Sequence, residues 1–233
     1  MIPKTIHYCW FGGKMPKKVK KNIQRWKKAL PNYVFIEWNE DKIDLNNTCL
    51  FVKEAYAKKK WAFVSDYVRL LALVNDGGIY LDTDVIVFKP FDEFLDEPLF
   101  ISHESNQSLC TAVIGSAAHN SLLESFLNEY NNKPFIDNGV MDTTPNSELL
   151  KLFVEEKVGK VLFDNELKSN EIHIYPQTYF CAKDIHTYES LITDNTVCIH
   201  LLDASWYSPF HKFLKACKKV VMRFINFFRK KKS

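Results

Sequence analysis

"GGIYLDTDVIVFKP", residues 77–90, is the stretch on which the reading of the fold turns. Two glycines open it, and the apolar residues behind them predict a buried strand over 79–88. Asp82 and Asp84 sit in the middle of that run. A carboxylate in a dry interior is costly unless positive charge meets it. Alternate residues of a regular strand share a face, so Asp82 and Asp84 are expected to point the same way, with Tyr80 beside them. Their Cα atoms then lie roughly 6–7 Å apart, a spacing that one divalent cation can serve. Hard cations such as Mn²⁺ and Mg²⁺ prefer oxygen ligands and often complete their shell with substrate phosphates. In the other reading the strand ends near Asp82, and both aspartates sit in a solvated loop or cap a turn.

The flanks extend the pattern. "WAFVSDYVRLLALVND" (61–76) reads as a largely apolar helix stopped by Gly77 and Gly78. "TIHYCWF" (5–11) reads as a strand stopped by Gly12 and Gly13. Val19, Ile23, Trp26 and Leu30 recur at helical spacing, and "YVFIEW" (33–38) follows as a second strand. Strands are expected over 98–104, 110–116, 172–176 and 196–202, and helices over 120–131 and 146–157. Such alternation predicts an α/β fold, a mixed sheet covered on both faces, with a nucleotide site at the strand ends.

The chain has 233 residues, 46% hydrophobic, enough for one core. Two parts are expected: a domain over residues 1–207 and a basic C-terminal segment over 208–233. Nine of the 31 Lys and Arg fall in that segment, with no Asp or Glu, so the rest of the chain is net acidic. A nucleic-acid groove would put the basic charge on the body, so nucleic acid is not an expected partner. The N-terminus lacks the long apolar stretch of a signal peptide. The six cysteines form no CxxC pair, which favours buried reduced thiols over disulfides or zinc ligands, and a cytoplasmic setting.

Three blocks in order, "IPKTIHYCWFGG", "SDYVRLLALVNDGGIYLDTDV" and "CIHLLDASW", resemble the DXD-containing sugar transferases of glycosyltransferase family 32. That group includes capsular-polysaccharide transferases and the Golgi initiating mannosyltransferase. The blocks are also similar to the catalytic domain of the large glucosylating bacterial toxins. The resemblance implies a GT-A fold, a nucleotide-sugar donor, a saccharide acceptor, Mn²⁺ or Mg²⁺, and retention of anomeric configuration. It places Trp10 against the donor base beside Gly12 and Gly13, although a tryptophan there also suits a core. Asp66 and Arg69, three apart on one helix face, would meet the donor sugar; otherwise they form an ion pair. Asp82 would reach the metal through water or hold the ribose, Asp84 would ligate it directly, and Tyr80 would pack near the sugar. His200 would be a further metal ligand, or else structural, and Ser205 and Trp206 would contact metal and diphosphate. The chain reads Thr143, Thr144, Pro145 where many members have Thr-Gly-Pro, and Leu201 where many have a second histidine. Asp-x-Asp after an apolar strand also occurs in haloacid-dehalogenase-type phosphatases, though their motif tends to lie close to the N-terminus. A non-catalytic sugar-nucleotide-binding module is a third reading.

In the C-terminal segment Phe210, Phe213, Leu214, Cys217, Val221, Phe224, Ile225 and Phe228 recur at helical spacing, with Lys and Arg on much of the opposite side. Such a helix suits an anionic membrane surface, peripheral on the inner face, where it would meet a lipid-linked acceptor. A helix packed on the body is the alternative. Deleting residues 211–233 is expected to release the protein from anionic liposomes at low salt while sparing donor hydrolysis. Full-length protein left in the supernatant after sedimentation with those liposomes contradicts the membrane reading.

Overall fold

The computed structural model describes residues 1–203. Ser205, Trp206 and the expected C-terminal helix lie outside the described residues. The chain forms β1 (Thr5–Cys9), α1 (Lys17–Ala29), β2 (Val34–Trp38), α2 (Leu50–Ala57), α3 (Trp61–Asp76), β3 (Gly78–Leu81) and β4 (Val85–Val87). There follow β5 (Leu99–Ser105), β6 (Ser108–Leu109), β7 (Val113–Ser116), α4 (Ser121–Asn131), β8 (Ile136–Asp137) and β9 (Val140–Met141). The last are α5 (Asn146–Val158), β10 (Leu167–Lys168), β11 (His173–Tyr175), α6 (Gln177–Phe180) and β12 (Cys198–His200). Among the described residues, no helix is long and apolar enough to cross a membrane.

The central sheet runs β10-β11-β5-β7-β3-β1-β2, with β6 on β5. β1 pairs in parallel with both β2 and β3. β7 is antiparallel to β3 and to β5, which makes the sheet mixed, as expected. From β1 the chain passes through α1 to one side, then returns through α2 and α3 to the other. The C-terminal ends of β1 and β3 therefore open onto a topological switch point, where α/β sheets leave a crevice.

Side chains alternate across the sheet as period 2 requires. Tyr80 and Ile114 point into the core shared with α2 to α5. Ile79, Leu81 and Val113 point into the opposite core, with Trp26 of α1 and Phe180 of α6. His7 staples the turn after α3. Its Nε2–H donates to Gly77 O at 2.8 Å, and its Nδ1 accepts from Trp38 Nε1 at 3.0 Å. Gly78 has φ +112, and a Cβ there would stand 2.7 Å from Thr5 O, so only glycine lets α3 turn into β3 beside β1.

One expectation is corrected here. The strand over 79–88 is not continuous: β3 ends at Leu81, residues 82–84 turn, and β4 leaves for a separate two-stranded sheet with β12. Asp82 N donates to Ala112 O at 2.8 Å and Val85 N to Asp82 O at 2.9 Å, closing the turn. The two aspartates are therefore not set on one strand face by the pleat; the turn presents them.

Gly115 of β7 lies opposite Phe100 of β5 in the sheet. A Cβ at 115 would stand 2.0 Å from the Phe100 ring, which is itself packed against Phe91, Phe94 and Phe180. Gly115→Ala is expected to destabilise the fold by about 1–3 kcal/mol through overpacking. Urea unfolding should show a lower midpoint at unchanged slope; a wild-type midpoint would mean the ring has room to move.

Candidate active site

The cleft at the switch point has a volume of about 1190 Å³. Trp10 and Gly12 line it from the loop after β1, Asp66 and Arg69 from α3, Asp82 and Asp84 from the turn, and His200 from β12. Trp10 is half-buried at the rim, not a core residue. Its Nε1 donates to Gly13 O at 2.9 Å, which folds the loop. Gly12 has φ +84, and a Cβ there would meet the Trp61 indole at 2.4 Å. Backbone thus comes close to the cleft where a side chain would not fit.

Arg69 supplies the positive charge that the buried carboxylates require. Only 4% exposed, it places Nη2 2.9 Å from Asp66 Oδ1 and 3.3 Å from Asp82 Oδ1. Nη1 donates to Thr111 O at 2.6 Å and Nε to Ser65 O at 3.3 Å. The guanidinium stands 4.6 Å from the Tyr80 ring centroid, and Tyr80 Oη donates to Asp82 Oδ1 at 2.8 Å. Burial pushes Asp66 up to about 6, against the pull of Arg69. Both contacts on Asp82 use Oδ1, leaving Oδ2 outside them.

Asp84 has different partners. Its Oδ1 is 3.3 Å from His200 Nε2, and its Oδ2 accepts from Asp203 N at 2.8 Å. Burial opposes ionisation of Asp84, but His200 draws it down to about 2. Burial likewise opposes the imidazolium, yet Asp84 raises His200 well above its ordinary value. Asp82, Asp84 and His200 each bring one ligand atom within 4.8 Å of the others. Two carboxylates and an imidazole suit Mn²⁺ or Mg²⁺, and such a cation would replace the charge that the His200 proton supplies here.

Sequence reasoning missed the residues that fix this geometry. Asn22, buried on α1, donates through Nδ2 to Thr83 O at 3.0 Å and to Val85 O at 2.7 Å. Trp26 Nε1 donates to the same Val85 oxygen at 2.8 Å. Within a helix studded with lysines, Asn22 carries no signal of its own. Glu104, Cys110 and Cys181 gather behind His200 from three separate elements, with no spacing motif to betray them.

Residues 16–101, from before α1 into β5, match the family described as "Glycosyltransferase sugar-binding region containing DXD motif". The DXD of that description falls on Asp82, Thr83 and Asp84. The chain is 27% identical over 230 residues to an uncharacterized glycosyltransferase of Acanthamoeba polyphaga mimivirus, covering 94% of this chain and 87% of that protein. It is 30% identical to the initiation-specific alpha-1,6-mannosyltransferase of Candida albicans, over 46% of this chain and 30% of that one. Matches to three further curated relatives span only 22–32% of those proteins. Among solved structures, PaToxG glycosyltransferase superposes with a TM-score of 0.50 at 20% identity, over 67% of this chain and 70% of that one. The fold is thus of the GT-A type, as the resemblance implied, with a mixed sheet flanked by helices.

Asn22→Ala is expected to leave the Thr83 carbonyl unsatisfied at the motif turn, at a cost of about 1–3 kcal/mol. Thermal unfolding followed by circular dichroism should show a lower Tm; an unchanged Tm would mean that the turn holds itself.

Proposed function

We propose that this protein is a retaining glycosyltransferase that moves a hexosyl unit from a nucleoside-diphosphate sugar, a UDP-sugar in our reading, to a saccharide acceptor. The observation that carries this is the convergence of Asp82, Asp84 and His200 within 4.8 Å, inside a cleft that the DXD family match overlaps. The comparisons favour sugar transfer over the phosphatase reading.

Asp82, Asp84 and His200 would hold Mn²⁺ or Mg²⁺, which as a Lewis acid stabilises charge on a departing diphosphate. The chain's own groups supply position. Trp10 offers an aromatic face at the cleft rim for the donor base. Asp66 accepts a hydroxyl of the donor sugar. The guanidinium of Arg69 is engaged by Asp66, Asp82, Ser65 and Thr111, so it acts chiefly by fixing the two carboxylates. Tyr80 holds Asp82 Oδ1 so that Oδ2 addresses the cleft. Ser205 and Trp206 remain proposed donor-phosphate contacts on the strength of the sequence.

The reaction breaks the bond from the anomeric carbon to the phosphate oxygen and forms one to the acceptor oxygen on the same face. The departing phosphate takes the acceptor's proton. A lipid-linked acceptor at the inner membrane face, approached through residues 208–233, and a role in surface polysaccharide synthesis complete the proposal.

Asp84→Asn removes one charge and one ligand oxygen. It is expected to abolish both transfer and Mn²⁺-dependent donor hydrolysis while the circular dichroism spectrum stays native. Wild-type turnover in this variant would show that the reacting site lies elsewhere.

A further inference from the structure

His200 faces two sets of donors. Nε2 addresses Asp84, while Nδ1 is buried without a hydrogen bond of ordinary length. The nearest carboxylate oxygen on that side, Glu104 Oε1, is 3.7 Å away. Behind it lie Cys110 and Cys181, both fully buried. Glu104, Cys110, Cys181 and His200 each bring one ligand atom within 4.8 Å of all the others. They arrive from four places: Glu104 from β5, Cys110 from the loop before β7, Cys181 from the end of α6, and His200 from β12.

The edges of a tetrahedron with 2.3 Å zinc–sulfur bonds measure about 3.8 Å, so small side-chain shifts close the cluster around one ion. Ser108 Oγ donates to Glu104 Oε2 at 3.0 Å and leaves Oε1 toward His200, an outer contact of the kind that orients metal ligands. Glu104 and His200 line the cleft, which gives an ion its way in.

We propose that Glu104, Cys110, Cys181 and His200 form a second cation site, for a thiophilic divalent ion of the zinc class, that shares His200 with the Asp82–Asp84 pair. Two thiolates, an imidazole and a carboxylate are a soft set that Mn²⁺ and Mg²⁺ disfavour. Binding displaces to solvent the protons of both thiols and the Nδ1 proton of the His200 imidazolium, whose Nε2–H stays toward Asp84. A neutral imidazole has a single lone pair for ligation, so His200 serves one ion at a time. Filling the thiolate site withdraws it from the aspartates and opposes the hard cation there. The site itself stands on these four side chains; only the antagonism rests on the proposed catalytic ion.

Full-length, reduced protein titrated with Co²⁺ is expected to develop thiolate-to-cobalt charge-transfer absorption that saturates at one equivalent and is bleached by one equivalent of Zn²⁺. Cys110→Ser and Cys181→Ser should each lose the band and bind Zn²⁺ more than about 100-fold more weakly, since even outer-shell losses cost about 10–100-fold. Asp84→Asn and Cys49→Ser should keep it. One equivalent of Zn²⁺ should also inhibit Mn²⁺-dependent donor hydrolysis in the wild type but not in Cys110→Ser. The proposal is overturned by a wild-type spectrum without the band, which no variant's folding can obscure. It is equally overturned by a band that survives both cysteine substitutions, by Zn²⁺ binding lost only in Asp84→Asn, or by a mass showing Cys110 and Cys181 already joined as a disulfide under reducing conditions. Absence of donor hydrolysis would speak against the transferase reading alone, because the cobalt spectrum decides the thiolate site independently.

Discussion

Arg69 is the constraint on which the cleft depends. Its guanidinium lies under the Tyr80 ring and between two carboxylates, with a backbone oxygen on either flank. Removing one member of a buried ion pair costs about 3–5 kcal/mol because the other is left uncompensated. Here the loss would strand two acids, one on α3 and one in the turn after β3. The helix and the motif turn are therefore tied by charge as well as by packing, and the mouth of the switch point is set by that tie.

The same arrangement explains which parts of the sequence could be read. The helix over 61–76 was legible because its apolar residues, its Gly77 stop and its Asp66 and Arg69 spacing are local properties. So were α1 and the run of strands, and with them a mixed sheet open at its strand ends. The break at Leu81 was legible only as the alternative in which the strand ends near Asp82. Alternation predicts a strand through 88, but Asn22 and Trp26 compete for the carbonyls of Thr83 and Val85. Those donors lie about sixty positions upstream on another element. Period 2 therefore led to the right pair of aspartates by way of a wrong geometry. What brings them near one another, and near His200, is a tertiary turn.

His200 shows the other limit. Its place after an apolar strand marked it as a candidate, and the β12–β4 pairing does bring it to Asp84. Nothing in the sequence marked its second face. Cys110 and Cys181 are 71 positions apart and meet only because β7 and α6 close on the same core as β12. Both thiols are buried and unpaired, as expected, but that expectation was set against zinc, and their neighbour is a titratable ring rather than aliphatic carbon. A single imidazole thereby joins a hard-oxygen cluster to a soft-sulfur one.

The central claim is that this cleft binds a nucleotide sugar through a divalent cation held by the DXD turn. A ligand that binds only the folded state raises its melting temperature by mass action. A panel of nucleotide sugars, each tested with Mn²⁺ and with a chelator in its place, measures that linkage directly. The account predicts that at least one UDP-sugar raises the Tm with Mn²⁺ and fails to do so with chelator. A panel in which no nucleotide sugar shifts the Tm, or in which the shift is the same without metal, would contradict it.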